Sequence, residues 1–162
     1  MPASIFLVAL GSNRCGRHGR PRDEVAAALR LLGGHAAPIV ASAPLGPSTR
    51  TFANSAVLIA SDETPPALLA RLKAIERAFG RRRGRRWGAR VIDLDIILWS
   101  GGAWRSPGLT IPHPAFQARA FVLGPAAAIA PDWRAPGSAL TLRQRHARLT
   151  RARAAPNRLR SA

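Results

Sequence analysis

The stretch from Arg81 to Trp99, RRRGRRWGARVIDLDIILW, constrains this chain more than any other. It opens as an arginine cluster and ends as an apolar strand carrying two carboxylates, Asp93 and Asp95. Side chains alternate between the two faces of a strand. The pattern therefore predicts Val91, Asp93, Asp95, Ile97 and Trp99 on one face. Ile92, Leu94, Ile96 and Leu98 fall on the other, which has no polar group and should face the core. Two carboxylates side by side repel each other unless a cation lies between them or guanidinium groups surround them. Arg81, Arg82, Arg83, Arg85, Arg86 and Arg90 lie just upstream, so both remedies are at hand. An acidic pair beside an arginine cluster suits Mg²⁺ and a polyphosphate, because Mg²⁺ takes oxygen ligands and arginine forks match phosphate oxygens. The plainer alternative is two solvated aspartates on an exposed face and a solvated arginine run.

The length, 162 residues, fits one domain with its own core. Residues 1–150 are read as that domain and 151–162 as a basic, disordered tail without an apolar period. The chain holds 25 Lys plus Arg against 8 Asp plus Glu, a formal charge of +17, and Lys73 is its sole lysine. Such a charge attracts nucleic acid, an anionic membrane or an anionic substrate. It equally follows from a codon bias that enriches Ala, Gly, Pro and Arg, so charge alone names no partner. Cys15 is the single cysteine, which excludes an intrachain disulfide and a cysteine zinc cluster and fits a reducing, cytoplasmic setting. The run SIFLVAL is short, follows no basic region and leads into Gly-Ser-Asn, so it reads as a first strand rather than a signal peptide. No apolar run approaches the roughly 20 residues of a membrane span.

In chain order, Ser4 to Leu10 is a compact apolar strand ended by Gly11-Ser12-Asn13, and Arg14 to Arg20 is a basic loop. Pro21 suits a first helical turn, Asp23 and Glu24 suit the positive end of its dipole, and Gly33-Gly34 stops the helix. Pro38 to Ser42 and Phe52 to Ala60 suggest two further strands, with the stiff loop Ala43-Pro44-Leu45-Gly46-Pro47 between them. Thr64 is placed as an N-cap, and Leu68, Leu69, Leu72, Ile75 and Phe79 form a helix face closed by Gly80. Glu76 lies near the negative end of that helix, where a carboxylate needs a partner. A short strand is expected at Ala103 to Arg105, an extended segment at Leu109 to Pro114, and a helix from Arg119 to Ala130 broken at Gly124-Pro125. A last short helix is expected over Leu140 to Leu149. The order β–α–β–β–α–β is the split pattern of an α+β sandwich, with an antiparallel or mixed sheet and helices on one face.

Four segments then stand in an informative order: ALGSN at 9–13, FANSAV at 52–57, RRWGARVIDLDIILW at 85–99 and LTIPHPAFQARAFVL at 109–123. Together they closely resemble the 6-hydroxymethyl-7,8-dihydropterin pyrophosphokinases of the folate pathway, over about residues 4–133. The resemblance implies a ferredoxin-like fold and a transferase that moves a pyrophosphoryl group from ATP to the hydroxymethyl oxygen of the reduced pterin, releasing AMP. It implies that Asp93 and Asp95 hold two Mg²⁺ ions and that Arg81 and Arg90 contact phosphates. Arg83 and Arg86 would belong to a loop over ATP, His113 and Arg119 would meet the triphosphate, and Thr110 the nucleotide. Asn54 would bond the pterin edge, Phe52 or Trp87 and Phe121 would sandwich its ring, and the backbone around Ser42, Ala43 and Leu45 would complete the pocket. Glu76 matches a position linked to substrate binding.

The residue types fit that chemistry. Phosphoryl-type transfer asks mostly for alignment and charge neutralisation. A flat ring rich in donors and acceptors suits two aromatic faces and an amide. The chain has no G-x-x-x-x-G-K-[ST], so a P-loop is not the phosphate cradle. A monomer is expected, with ATP and the pterin as partners and no membrane contact. The contrasting reading, a basic nucleic-acid module, leaves the strand carboxylates unexplained, since carboxylates repel phosphates without a metal.

Overall fold

The computed structural model describes residues 3–42, 51–80 and 90–154. Strand β1 (Ser4–Ser12) is the centre of the sheet, paired antiparallel with β4 (Phe52–Ser61) on one side and β5 (Asp93–Trp99) on the other. Two short strands, β2 (His35–Ala36) and β3 (Val40–Ser42), pair antiparallel with the outer edge of β4. The strand expected from Pro38 to Ser42 is shortened to β3, and β2 is a further short strand upstream of it. A separate hairpin joins β6 (Trp104–Ser106) to β7 (Leu109–Ile111). The main sheet is antiparallel throughout, and the chain order gives the ferredoxin-like arrangement read from the sequence.

Helix α1 (Pro21–Leu32) starts with Asp23 accepting the Arg20 backbone N–H at 2.9 Å and ends at Gly33, whose φ is 66°. Only a residue without a Cβ adopts that conformation cheaply. Helix α2 (Pro65–Ala78) is capped by Thr64, whose hydroxyl accepts from the Ala67 N–H at 3.3 Å. Both helices cover one face of the sheet. Val25, Ala28, Leu32, Leu68 and Leu72 pack there against Phe6, Val8, Leu10, Leu94 and Ile96.

The helices are not confined to one face. Helices α3 (Ala120–Ile129) and α4 (Leu142–Ala154) cover part of the opposite face, where Val122, Leu123 and Leu142 meet Leu7, Ile97, Leu98 and Phe116. The sheet is buried from both sides because its central strand is apolar on both. Helix α3 also runs unbroken through Gly124-Pro125. Pro125 removes one backbone donor, but the helix buries Val122, Leu123, Pro125 and Ala126, and this packing holds the turn together. Helix α4 continues to Ala154, past the expected boundary at 150.

Strand β5 departs from simple alternation. Its register with β1 shifts between Leu7 and Val8, which pair with Leu98 and Ile96. Ile97 is the extra residue of a bulge, and a bulge resets which side later residues face. Leu98 therefore packs with Leu7, not with Ile96, and Trp99 stacks on Phe6 at 6.3 Å. The expected placing of Trp99 and Val91 beside the aspartates is overturned: both pack with the α1 and α2 side.

Candidate functional site

The face of the sheet shared with α3 holds the polar row. Gly11 of β1 is the partner of Asn54 on β4 and of Asp93 on β5. One step along, Ala9 is the partner of Ala56 and of Asp95. Residues directly opposite one another point to the same side. Asn54, Asp93 and Asp95 thus rise around a floor made of Gly11, Ala9 and Ala56. The floor is lowest at Gly11, where a Cβ would crowd Asn54 Oδ1 at 3.1 Å. Phe52, two residues from Asn54 on the same face, is 42% exposed at the rim.

The carboxylates sit in an uneven field. Burial is the main influence on Asp95 and pushes its carboxyl pKa up, and the neighbouring Asp93 charge adds to the rise. The charges of His113 and Lys73 oppose the rise, while Glu76 supports it. Asp93 is more exposed and has a direct partner: Arg90 Nη1 donates to its Oδ1 at 2.9 Å. A half-buried, protonation-prone carboxylate next to a second one is a site that gains from a cation. Among the described residues no group of three or more His, Cys, Asp or Glu converges on one point. Two carboxylates with open positions match the way Mg²⁺ is held, by one or two carboxylates together with substrate phosphates.

The surroundings fix these groups. The backbone N–H of Arg90 donates to Asn13 Oδ1 at 2.7 Å, and the Asn13 N–H donates to the Arg90 carbonyl at 3.2 Å. The His113 N–H donates to the Ile97 carbonyl at 3.0 Å, which ties the segment after β7 to the outer edge of β5 at the bulge. His113 Nδ1 accepts the Ala115 N–H at 3.2 Å, leaving the proton of the neutral ring on Nε2. Glu76, buried in α2, accepts the Leu94 N–H at 2.9 Å and pairs with Lys73 at 3.3 Å. It thereby holds α2 against the strand that carries the aspartates.

Of the residues singled out in the sequence, Arg90, Asp93, Asp95, Asn54 and His113 converge on this end of the sheet. Arg119 precedes α3 and lies over the Phe121 ring, 5.9 Å from its centre, and Phe121 is 53% exposed. Thr110 is on β7, in register with Arg105. Neither Arg119 nor Thr110 makes a hydrogen bond to the carboxylates among the described residues. Ser42 is the β3 partner of Phe52. Ala43, Leu45, Arg81, Arg83, Arg86 and Trp87 lie outside the described residues. Sequence reasoning missed Asn13 and Lys73. The i, i+3 spacing of Lys73 and Glu76 was the available signal for the second. Among the described residues, no helix is long and apolar enough to cross a membrane.

The 7,8-dihydro-6-hydroxymethylpterin-pyrophosphokinase family pattern matches residues 7–131. The 2-amino-4-hydroxy-6-hydroxymethyldihydropteridine pyrophosphokinase of Pseudomonas aeruginosa is 42% identical over 139 residues, covering 80% of this chain and 82% of that protein. The Synechocystis protein of the same name is 45% identical over 103 residues, 64% of this chain and 53% of its own length. A crystal structure of Plasmodium falciparum HPPK-DHPS with pteroate superposes with a TM-score of 0.72 at 12% identity, covering 94% of this chain and 46% of that one. That likeness speaks to the fold. The chain spans about half the length of the Synechocystis and Plasmodium proteins it matches. The matched span holds Asn54, Arg90, the aspartate pair and His113, and this chain belongs to the 7,8-dihydro-6-hydroxymethylpterin-pyrophosphokinase family.

Proposed function

We propose that this chain catalyses the reaction for which its family is named, ATP-dependent transfer of pyrophosphate to 6-hydroxymethyl-7,8-dihydropterin. The hydroxymethyl oxygen attacks the β-phosphorus, the bond from that phosphorus to the α–β bridging oxygen breaks, and AMP leaves. The hydroxyl proton is released. One observation carries the reading: Asn54 and Asp93 flank the same glycine from opposite strands. A pterin-binding amide and a metal-binding carboxylate so arranged bring the two substrates together over Gly11, and proximity supplies much of the rate in reactions of this kind.

The residues divide the work. Asp93 and Asp95 would hold the two Mg²⁺ ions, and Arg90, which donates to Asp93, would also meet phosphate. When bound, the metal would supply charge neutralisation and Lewis-acid polarisation for the phosphates. His113 donates to phosphate from Nε2, and Arg119 and Thr110 complete the ATP side. Arg81 would contact phosphate as well, and Arg83 and Arg86 would belong to a loop over ATP. Phe52 or Trp87, together with Phe121, would sandwich the pterin, and the backbone around Ser42, Ala43 and Leu45 would complete its pocket. The protein acts as a cytoplasmic monomer.

The test is product analysis after incubation with Mg²⁺, ATP and 6-hydroxymethyl-7,8-dihydropterin. AMP formed only when the pterin is present is the expected result. ADP as the product, or no turnover by folded protein, would overturn the proposal.

A further inference from the structure

The loop between β1 and α1 supplies none of the substrate contacts above, yet it is fastened at several points. Glu24, in the first turn of α1, is fully buried. Its Oε1 accepts the His18 backbone N–H at 2.7 Å, and its Oε2 lies 2.7 Å from His18 Nδ1. A carboxylate removed from water is costly unless its oxygens are satisfied. One loop residue satisfies both, so the loop is tied to the helix. The His18 ring also lies 4.8 Å from that of Phe79, the C-cap residue of α2.

The same loop meets the chain again just before β5. A Cβ on Gly16 would fall 2.5 Å from Val91 Cγ1 and 2.6 Å from Glu24 Oε1, so only glycine allows this approach. Asn13 grips the Arg90 backbone through the two hydrogen bonds already described. The loop is therefore anchored on Phe79, Val91 and Arg90 at once, with Glu24 as its fixed post.

We propose that the loop of residues 13–20 is a clasp that positions Arg90, and that His18 and Glu24 are positioning residues for binding the ATP triphosphate. The proposal rests on the pyrophosphokinase reading. His18 and Glu24 touch no substrate. They hold the loop, the loop holds Asn13 and Val91, and Asn13 holds the backbone from which Arg90 reaches Asp93.

Two substitutions separate the clasp from general packing. His18→Phe keeps a ring against Phe79 and removes Nδ1. His18→Asn places an amide nitrogen near the Nδ1 position and keeps the bond to Glu24. His18→Phe should raise the KM for MgATP about tenfold, the scale of a small misplacement of a binding group, and leave the KM for pterin within about twofold. It should also speed amide hydrogen exchange at Arg90. His18→Asn should restore most of both. Gly16→Ala, which pushes the loop away from Val91, should reproduce the His18→Phe pattern and serves if that variant fails to fold. Wild-type exchange at Arg90 in His18→Phe would overturn the clasp. So would a parallel rise in both KM values with a lowered Tm, or no rescue by His18→Asn. Exchange at Arg90 needs no turnover, so it reads the clasp even if the wild type releases no AMP.

Discussion

One face of one strand changes character along its length. On the α3 side of β1 the residues shrink from Leu7 to Ala9 to Gly11. At the Leu7 end the neighbours across the sheet are Leu58 and Leu98, and Phe116, Val122, Leu123 and Leu142 cover them. At the Gly11 end the neighbours are Asn54 and Asp93, with Asp95 one step back beside Ala9. The first end is closed by bulk on the central strand, and the second is left open by its absence. Both ends share the same three antiparallel strands, with the β5 bulge at Ile97 between them. The site needs small residues in the middle strand and polar ones on its flanks. The packed end holds the strands in register, and the register aligns Asn54 with Asp93.

The sharpest way to separate the two ends is to remove charge from one and bulk from the other. Asp95→Asn changes shape little and removes a carboxylate from the proposed cation site. Turnover should fall on the order of 10²–10³-fold or more, the scale seen when one electrostatic stabiliser of a transition state is lost, while the melting transition stays cooperative. AMP release at the wild-type rate would break the assignment of this end as the metal site.

Leu7→Ala is the converse. It lies two residues from Ala9 on the same face, in the fully buried cluster. Deleting a core leucine leaves a cavity and costs about 2–5 kcal/mol, which for a domain of this size lowers Tm by roughly 2–4 °C per kcal/mol. Turnover per folded molecule should stay within about twofold at a temperature where the variant is folded, since Leu7 contributes no polar group to the site. Denaturant melts paired with activity assays check both parts. A loss of turnover as large as that of Asp95→Asn would show that the two ends are not separable.

How much of this was legible in the sequence follows from the range of the forces involved. Local chemistry was readable: Thr64 caps α2, Gly33 ends α1, and the aspartates and Asn54 fall on strands. Asn54 could be named only through the family resemblance, because its use depends on Gly11, which is 43 positions away and becomes its neighbour through strand pairing. The bulge at Ile97 was not readable, because period-two alternation assumes an uninterrupted ladder, and the interruption is set by pairing with β1. Gly124-Pro125 looked like a helix break because propensity is a local quantity, whereas burial of α3 is tertiary. Glu24 looked like a residue serving the helix dipole. It also satisfies His18, and nothing in the spacing of the two says that the loop folds back.

The smallest effect asks whether the open end carries a cost that the packed end does not. Burial and the Asp93 charge raise the Asp95 pKa above its ordinary 3.8. Between 3.8 and the raised value the native chain binds a proton that the unfolded chain releases. Stability without Mg²⁺ is then fully present below the lower of these values and declines as pH rises through the raised one. Asp95→Asn cannot ionise and should lack this decline. Near neutral pH, in chelator, it should melt higher than wild type. Adding Mg²⁺ with ATP should reverse the order, because a ligand that binds only the native state stabilises it and the variant binds that ligand poorly. Calorimetric scans from about pH 4 to pH 8 read the slope directly. Parallel curves for the two proteins would mean that the Asp95 charge is already compensated by His113 and Lys73, and that the open end is as relaxed without its ligands as the packed end is.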